Sequence, residues 1–141
     1  MRYSTRTRYG LRFLINLGRR PPNVFVQLAD IANDEDISVK YLEQIVRALR
    51  PSGILRTARG AKGGYALALP PEEITLDTVF LHLEGALAPI PCLERDGTCP
   101  REAQCSSRGL WEALNTHMQD FLRGINLRSL LECGPEGTFV I

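Results

Sequence analysis

Apolar residues recur at helical spacing along most of the chain and alternate in two short runs, which predicts a mainly α protein with one β-hairpin. Over residues 4–18, Phe13, Leu14 and Leu17 share a face that Leu11 and Ile15 widen, while Arg2, Arg6, Arg8 and Arg12 charge its first part. Pro21 and Pro22 stop this helix. A second helix is expected over 27–33, with Leu28, Ala29 and Ala32 inward and Val26 standing where a Ser or Thr would cap better. The polar run Asn33, Asp34, Glu35, Asp36 reads as a turn. A third helix follows over 38–50. Ser38 is a good N-cap, and Ile37 and Leu42 have hydrophobic-staple spacing around it. Val39, Leu42, Val46 and Leu49 form its expected buried stripe. Lys40, Glu43, Gln44 and Arg47 fall on the opposite face, with Tyr41 at the edge.

Two strands, 54–58 and 64–69, flank the glycine-rich basic loop Arg59, Gly60, Ala61, Lys62, Gly63. Three helices followed by a hairpin with a cationic tip is the order of a winged helix-turn-helix. Pro70 and Pro71 mark a boundary, and a fourth helix is expected over 75–83. Residues 85–104 are irregular. A long amphipathic helix spans 106–124, its stripe formed by Leu110, Trp111, Leu114, Met118, Phe121, Leu122 and Ile125. A last helical turn over 127–132 precedes a Gly/Pro tail that reads as flexible. The expected organisation is a DNA-binding domain over 1–70, a cysteine loop and dimerisation helix over 71–132, and a tail over 133–141.

Composition sharpens this picture. Hydrophobic residues make up 44% of 141, enough for a core. No apolar run approaches the ~20 residues of a membrane span, and the first residues lack the apolar core of a secretion signal, so the expected compartment is the cytoplasm. There, four cysteines read as metal ligands or thiols, not as disulfides. The net charge of +1 conceals two opposed halves: residues 1–70 carry +7 and residues 71–141 carry −6. A polyanion partner is expected for the first half only.

The polar face of the third helix suits the major groove. Tyr41 and Gln44 can hydrogen-bond bases or phosphates, Lys40 and Arg47 can neutralise phosphates, and Glu43 can accept from a cytosine amino group. In the hairpin loop, Arg59 suits insertion into a narrow minor groove, Lys62 adds charge, and Gly60 allows close approach to the backbone. Cys92, Cys99 and Cys105 stand within fourteen residues, a thiolate-rich set of the kind that favours iron–sulfur clusters or zinc. Their spacing matches neither paired zinc motifs nor ferredoxin runs. Cys133 lies apart and reads as a thiol in the tail. The long apolar stripe asks for a partner helix, and a winged helix that binds a palindromic operator needs two-fold symmetry, so a homodimer is expected. His82 and His117 are the only histidines and sit in no catalytic motif, which argues against an enzyme.

Tyr9-Gly10, Ile37-Ser38-x-x-Tyr41-Leu42-Glu43-Gln44, Arg50-x-x-Gly53-Ile54, Arg59-Gly60-x-x-Gly63-Gly64-Tyr65 and three spaced cysteines occur here in order. In these features the chain resembles the iron–sulfur-cluster regulators of the IscR and NsrR types. The resemblance implies a homodimeric winged-helix transcription regulator, expected to be a repressor, in which Ser38, Tyr41, Glu43, Gln44 and Arg59 face double-stranded DNA. It also implies that Cys92, Cys99 and Cys105 ligate an iron–sulfur cluster, 2Fe–2S in preference to 4Fe–4S, that senses iron–sulfur supply, redox state or nitric oxide. The alternative is a cluster-free regulator of the same fold that responds to thiol oxidation, zinc or a small metabolite. Three departures bear on this. Arg108 stands where IscR-type proteins place a histidine ligand, Arg8 where NsrR-type proteins place a carboxylate, and the first cysteine gap is one residue longer than usual. The fourth ligand is left open among Glu94, Asp96, Glu102, an outside thiol and water. Lys40 replaces a small polar residue of the IscR type, which adds a phosphate contact or shifts operator preference.

Overall fold

The computed structural model describes residues 3–94 and 99–134. Helix α1 (Thr5–Gly18) begins where Ser4 accepts from the Thr7 amide. The same Ser4 donates from its amide and its hydroxyl to one carboxylate oxygen of Glu84, at 2.6 and 2.8 Å, which pins the start of α1 to the end of α4 (Leu76–Glu84). Phe13 and Leu14 are wholly buried and Leu17 nearly so. Fully burying one such side chain contributes about 1.5–3 kcal/mol.

Helix α2 (Leu28–Glu35) runs two residues beyond the expected 33, and Asp36 closes it in the left-handed region at φ 52°. Ile31 and Ala32 are its buried residues and Leu28 packs half-buried on the core, as expected of Leu28 and Ala32, whereas Ala29 is exposed and Ile31 takes its place inside. Helix α3 (Val39–Leu49) is capped by Ser38, whose Oγ accepts from the Tyr41 amide at 3.2 Å. Its buried set is Leu42, Ile45, Val46 and Leu49. Val39, expected inside, is 41% exposed. It lies in the first turn, beyond the edge of the core, and Ile45 fills the stripe instead.

Strands β1 (Leu55–Ala58) and β2 (Gly64–Leu67) pair antiparallel, with Arg56 opposite Ala66 and Ala58 opposite Gly64. The hairpin does not stand alone. Val26 and Tyr65 exchange two backbone hydrogen bonds, at 2.9 and 2.8 Å, so the segment before α2 adds a third short rung. Gly64, at φ +139°, makes this possible: a Cβ there would lie 2.2 Å from the Val26 carbonyl oxygen.

Past Pro70, the α-helices of the described residues are α4, α5 (Arg108–Arg123) and α6 (Leu127–Cys133). Ile74, Val79, Leu83 and Leu127 join the same hydrophobic core as α1, α2 and α3. Gly10 sets the closest approach of α1 and α4, since a Cβ there would meet Leu83 at 2.5 Å. Leu76, Phe80, Leu122 and Ile125 form a second, smaller cluster where α4 meets the end of α5. Among the described residues no helix is long and apolar enough to cross a membrane. Cys133 is the last residue of α6 and half-buried, so the expected tail begins later than Cys133; residues beyond Gly134 lie outside the described set.

Replacing Gly64 by Ala is expected to cost about 2 kcal/mol, because its φ is unfavourable for a side chain and the new Cβ meets the Val26 backbone. The midpoint of urea unfolding reads this loss. A protein as stable as wild type would mean that the Val26–Tyr65 rung does not hold the hairpin.

Candidate nucleic-acid interface and cysteine loop

The turn between α2 and α3 is short because Asp36 takes the left-handed conformation and Ser38 immediately caps the next helix. Lys40, Glu43, Gln44 and Arg47 consequently lie exposed along one side of α3, opposite its buried stripe. Ser38 is also exposed; its oxygen serves the cap, and its hydroxyl proton remains available as a donor. Tyr41 is half-buried. Its ring meets Tyr9 edge-on, centroids 5.8 Å apart, and Arg12 sits over the Tyr9 ring at 5.4 Å. Arg12 also pairs with Glu35 at 3.0 Å, which ties α1 to the end of α2.

Arg59, Gly60 and Lys62 are exposed at the hairpin tip. Gly60 takes φ +99°, and the Gly63 amide donates to the Gly60 carbonyl at 3.0 Å, giving the tight turn the glycines foreshadow. Sequence reasoning missed what steadies this tip. Gln27, at the start of α2, donates from Nε2 to the Ala61 carbonyl at 2.9 Å. The wing is thus fastened to the helix-turn-helix at its tip as well as its base. The signal available was a long amide side chain at a helix start that it does not cap.

The cysteine loop follows α4. Cys92 is half-buried in a single helical turn, Pro91–Leu93, and Cys99 is half-buried as well. Cys105 is exposed, just before α5, with its Sγ 3.4 Å from the Ser107 hydroxyl. Hydrogen bonds from the Ser107 hydroxyl and amide, with the amide and charge of Arg108, hold the Cys105 thiol below its ordinary range. Arg108 bridges the loop to the helix through ion pairs with Glu102 and, at 2.6 Å, Glu112. The donor set has the chemistry of iron or zinc. Among the described residues no three His, Cys, Asp or Glu side chains stand close enough to share a metal ion. Glu94 is exposed, Glu102 is engaged by Arg108, and Asp96 lies outside the described residues.

A family model described as Rrf2, an iron-dependent transcriptional regulator, matches residues 3–133. The chain is 38% identical over 131 residues to protein rrf2 of Nitratidesulfovibrio vulgaris, an alignment covering 93% of this chain and 87% of that one. Among solved structures it is similar to CymR, described as the global cysteine regulator of B. subtilis, at 32% identity and a TM-score of 0.75 over 94% of this chain and 97% of that one. It is also similar to T. potens IscR, at 27% identity and a TM-score of 0.76 over 100% and 93%.

The Cys105 geometry sets an order of reactivity, because the thiolate is the nucleophile. Cys105 is expected to be alkylated by iodoacetamide faster than Cys92 or Cys99 at pH 7. Ser107→Ala should slow it roughly threefold or more at that pH, with less difference above the ordinary thiol range near 8.5, where both forms ionise. Site-resolved mass spectrometry across pH gives the comparison. Equal rates at all three cysteines would contradict the assignment.

Proposed function

The chain belongs to the Rrf2 family of transcriptional regulators, and on that premise we propose that it binds a two-fold operator in double-stranded DNA as a homodimer. The observation that carries this reading is the exposed polar side of α3 standing beside a fastened, cation-tipped hairpin. In this reading residues 1–70 bind DNA and 71–132 dimerise and sense. Gln44 and Glu43 meet base edges, while Ser38, Lys40 and Tyr41 contact phosphates or base edges at the groove margin. Arg59 enters the minor groove with Gly60 allowing the approach, and Lys62 adds phosphate attraction. Such a regulator performs no catalysis and acts in the cytoplasm, and repression follows if its operator overlaps a promoter.

Dimerisation rests on α5. Leu110 is 66% exposed, Leu114 41% and Phe121 42%, although all belong to the apolar stripe of one helix. Leaving this stripe in water forgoes the burial energy that a second copy supplies through an isologous contact.

The signal enters through the loop thiols. Cys105, exposed and acidified by Ser107, is the natural point of attack for an oxidant, and the likeness to a cysteine regulator supports a thiol-sensing role. A second reading has specific support. The three-cysteine spacing, the family description and the likeness to an IscR favour Cys92, Cys99 and Cys105 as ligands of an iron–sulfur cluster, 2Fe–2S before 4Fe–4S. That reading requires the loop to fold differently from the arrangement described above. An anaerobic visible spectrum with iron and sulfide assays separates the two. Colour in wild type that vanishes in the triple Cys→Ala variant selects the cluster. A colourless protein after reconstitution, with operator affinity that changes on oxidation, selects the thiols.

Gln44→Ala and Arg59→Ala are each expected to weaken operator binding by about 1–3 kcal/mol, roughly 5- to 150-fold, with an unchanged circular dichroism spectrum. Retained affinity in the double variant would overturn the assignment of the reading surface. Leu114→Glu is expected to yield a folded monomer by analytical ultracentrifugation; a dimer of undiminished affinity would place the interface elsewhere.

A further inference from the structure

Beside the wing lies a cleft of about 500 Å³, with no residue of α3 in its lining, that nothing above uses. Its walls come from the end of α1, the Pro21–Pro22 segment, β2 and the residues after it, and α6. Leu17, Val24, Leu67 and Leu69 give it an apolar lining. Volumes of this size suit small organic ligands, which bind where an apolar cleft offers a few placed polar groups.

Three arginines line the cleft: Arg20, Arg56 and Arg128. Two are neutralised. Arg20 pairs with Asp34, and Arg128 pairs with Glu72 at 2.7 Å. Arg56, on β1, has no carboxylate partner among the described residues. It donates to the side-chain oxygen of Asn23, a neutral group, and its guanidinium lies 5.3 Å from the centre of the Phe25 ring. Its Nε is buried without any acceptor among the described residues. A buried donor left unpaired is costly, more so when the group is charged. One positive charge without a carboxylate partner, in a cleft with both apolar and polar walls, suits an anion with an apolar part, and the guanidinium fork matches a carboxylate.

We propose that this cleft is a binding site for a small aliphatic monocarboxylate, held by Arg56 and packed against Leu17, Val24 and Leu69. A small turn of the Arg56 side chain towards the cleft presents Nε–H to the carboxylate. Because β1 and α6 both border the site, an occupant bridges the wing to the carboxy-terminal helices. The site is independent of the cysteine loop and adds a second input to the regulator proposed above.

The test uses 4-methylpentanoate as probe and amide NMR of the full-length protein without DNA, so its outcome is separate from that of operator binding. Saturable shifts are expected at residues 66–69 and at the Arg56 side chain, with a dissociation constant on the order of 1 mM for so small a ligand. The neutral amide of the same acid is expected to give none. Asn23→Asp supplies an internal carboxylate to Arg56 without opening the core, and position 23 already holds φ +68°, which Asp tolerates. This variant is expected to keep its melting temperature and to lose probe binding at least tenfold, as is Arg56→Gln. Absence of saturation in wild type, or undiminished binding in Asn23→Asp, would overturn the proposal. So would equal shifts with inorganic sulfate, which would mean an adventitious ion only.

Discussion

The structure depends on the burial of α1. Phe13, Leu14 and Leu17 sit at the centre of a core that receives Ile31 from α2, Leu42, Ile45 and Leu49 from α3, Val79 and Leu83 from α4 and Leu127 from α6. One helix thereby holds both the reading head and the carboxy-terminal elements. Gly10 lets α4 come close, and Ser4 with Glu84 fixes the angle at its end. A displacement of α4 or α6 is therefore felt at the base of α3, because close-packed interiors pass on strain more readily than they absorb it. This is a physical route by which events after Pro70 can reach the DNA-binding face.

Much of the reading head was legible because its determinants are local. Ser38 as a cap, Ile37 and Leu42 as a staple, and the glycines at 60 and 63–64 each act within a few residues, and the structure uses them as expected. Errors fell where tertiary packing decides. Ala29 and Val39 satisfy helical spacing, yet both lie exposed, because the neighbouring elements cover a different part of each helix. The bond from Gln27 to Ala61 and the stacking of Arg56 on Phe25 join residues about thirty apart in sequence. No periodicity foretells such contacts.

The two halves of the chain also differ in how they meet their partners. The positive half carries exposed cations on α3, at Lys40 and Arg47, and at the wing tip, at Arg59 and Lys62. The acidic half carries the apolar stripe of α5 and the cysteine loop, whose thiols differ in exposure. Three cysteines in fourteen residues speak for a metal centre in the sequence, and among the described residues they do not stand within reach of one ion. In the described fold Cys105 answers to Ser107 and Arg108 before it answers to the other cysteines.

The central claim is that α3 and the wing read a specific two-fold sequence. Selection of bound fragments from a random duplex pool, followed by footprinting of the enriched sequence, tests it most directly. The account predicts one enriched motif with two inverted half-sites about one helical turn, or a multiple of it, apart, protected on one face of the duplex. A pool that remains random after repeated rounds, with binding that depends on salt but not on sequence, would contradict it.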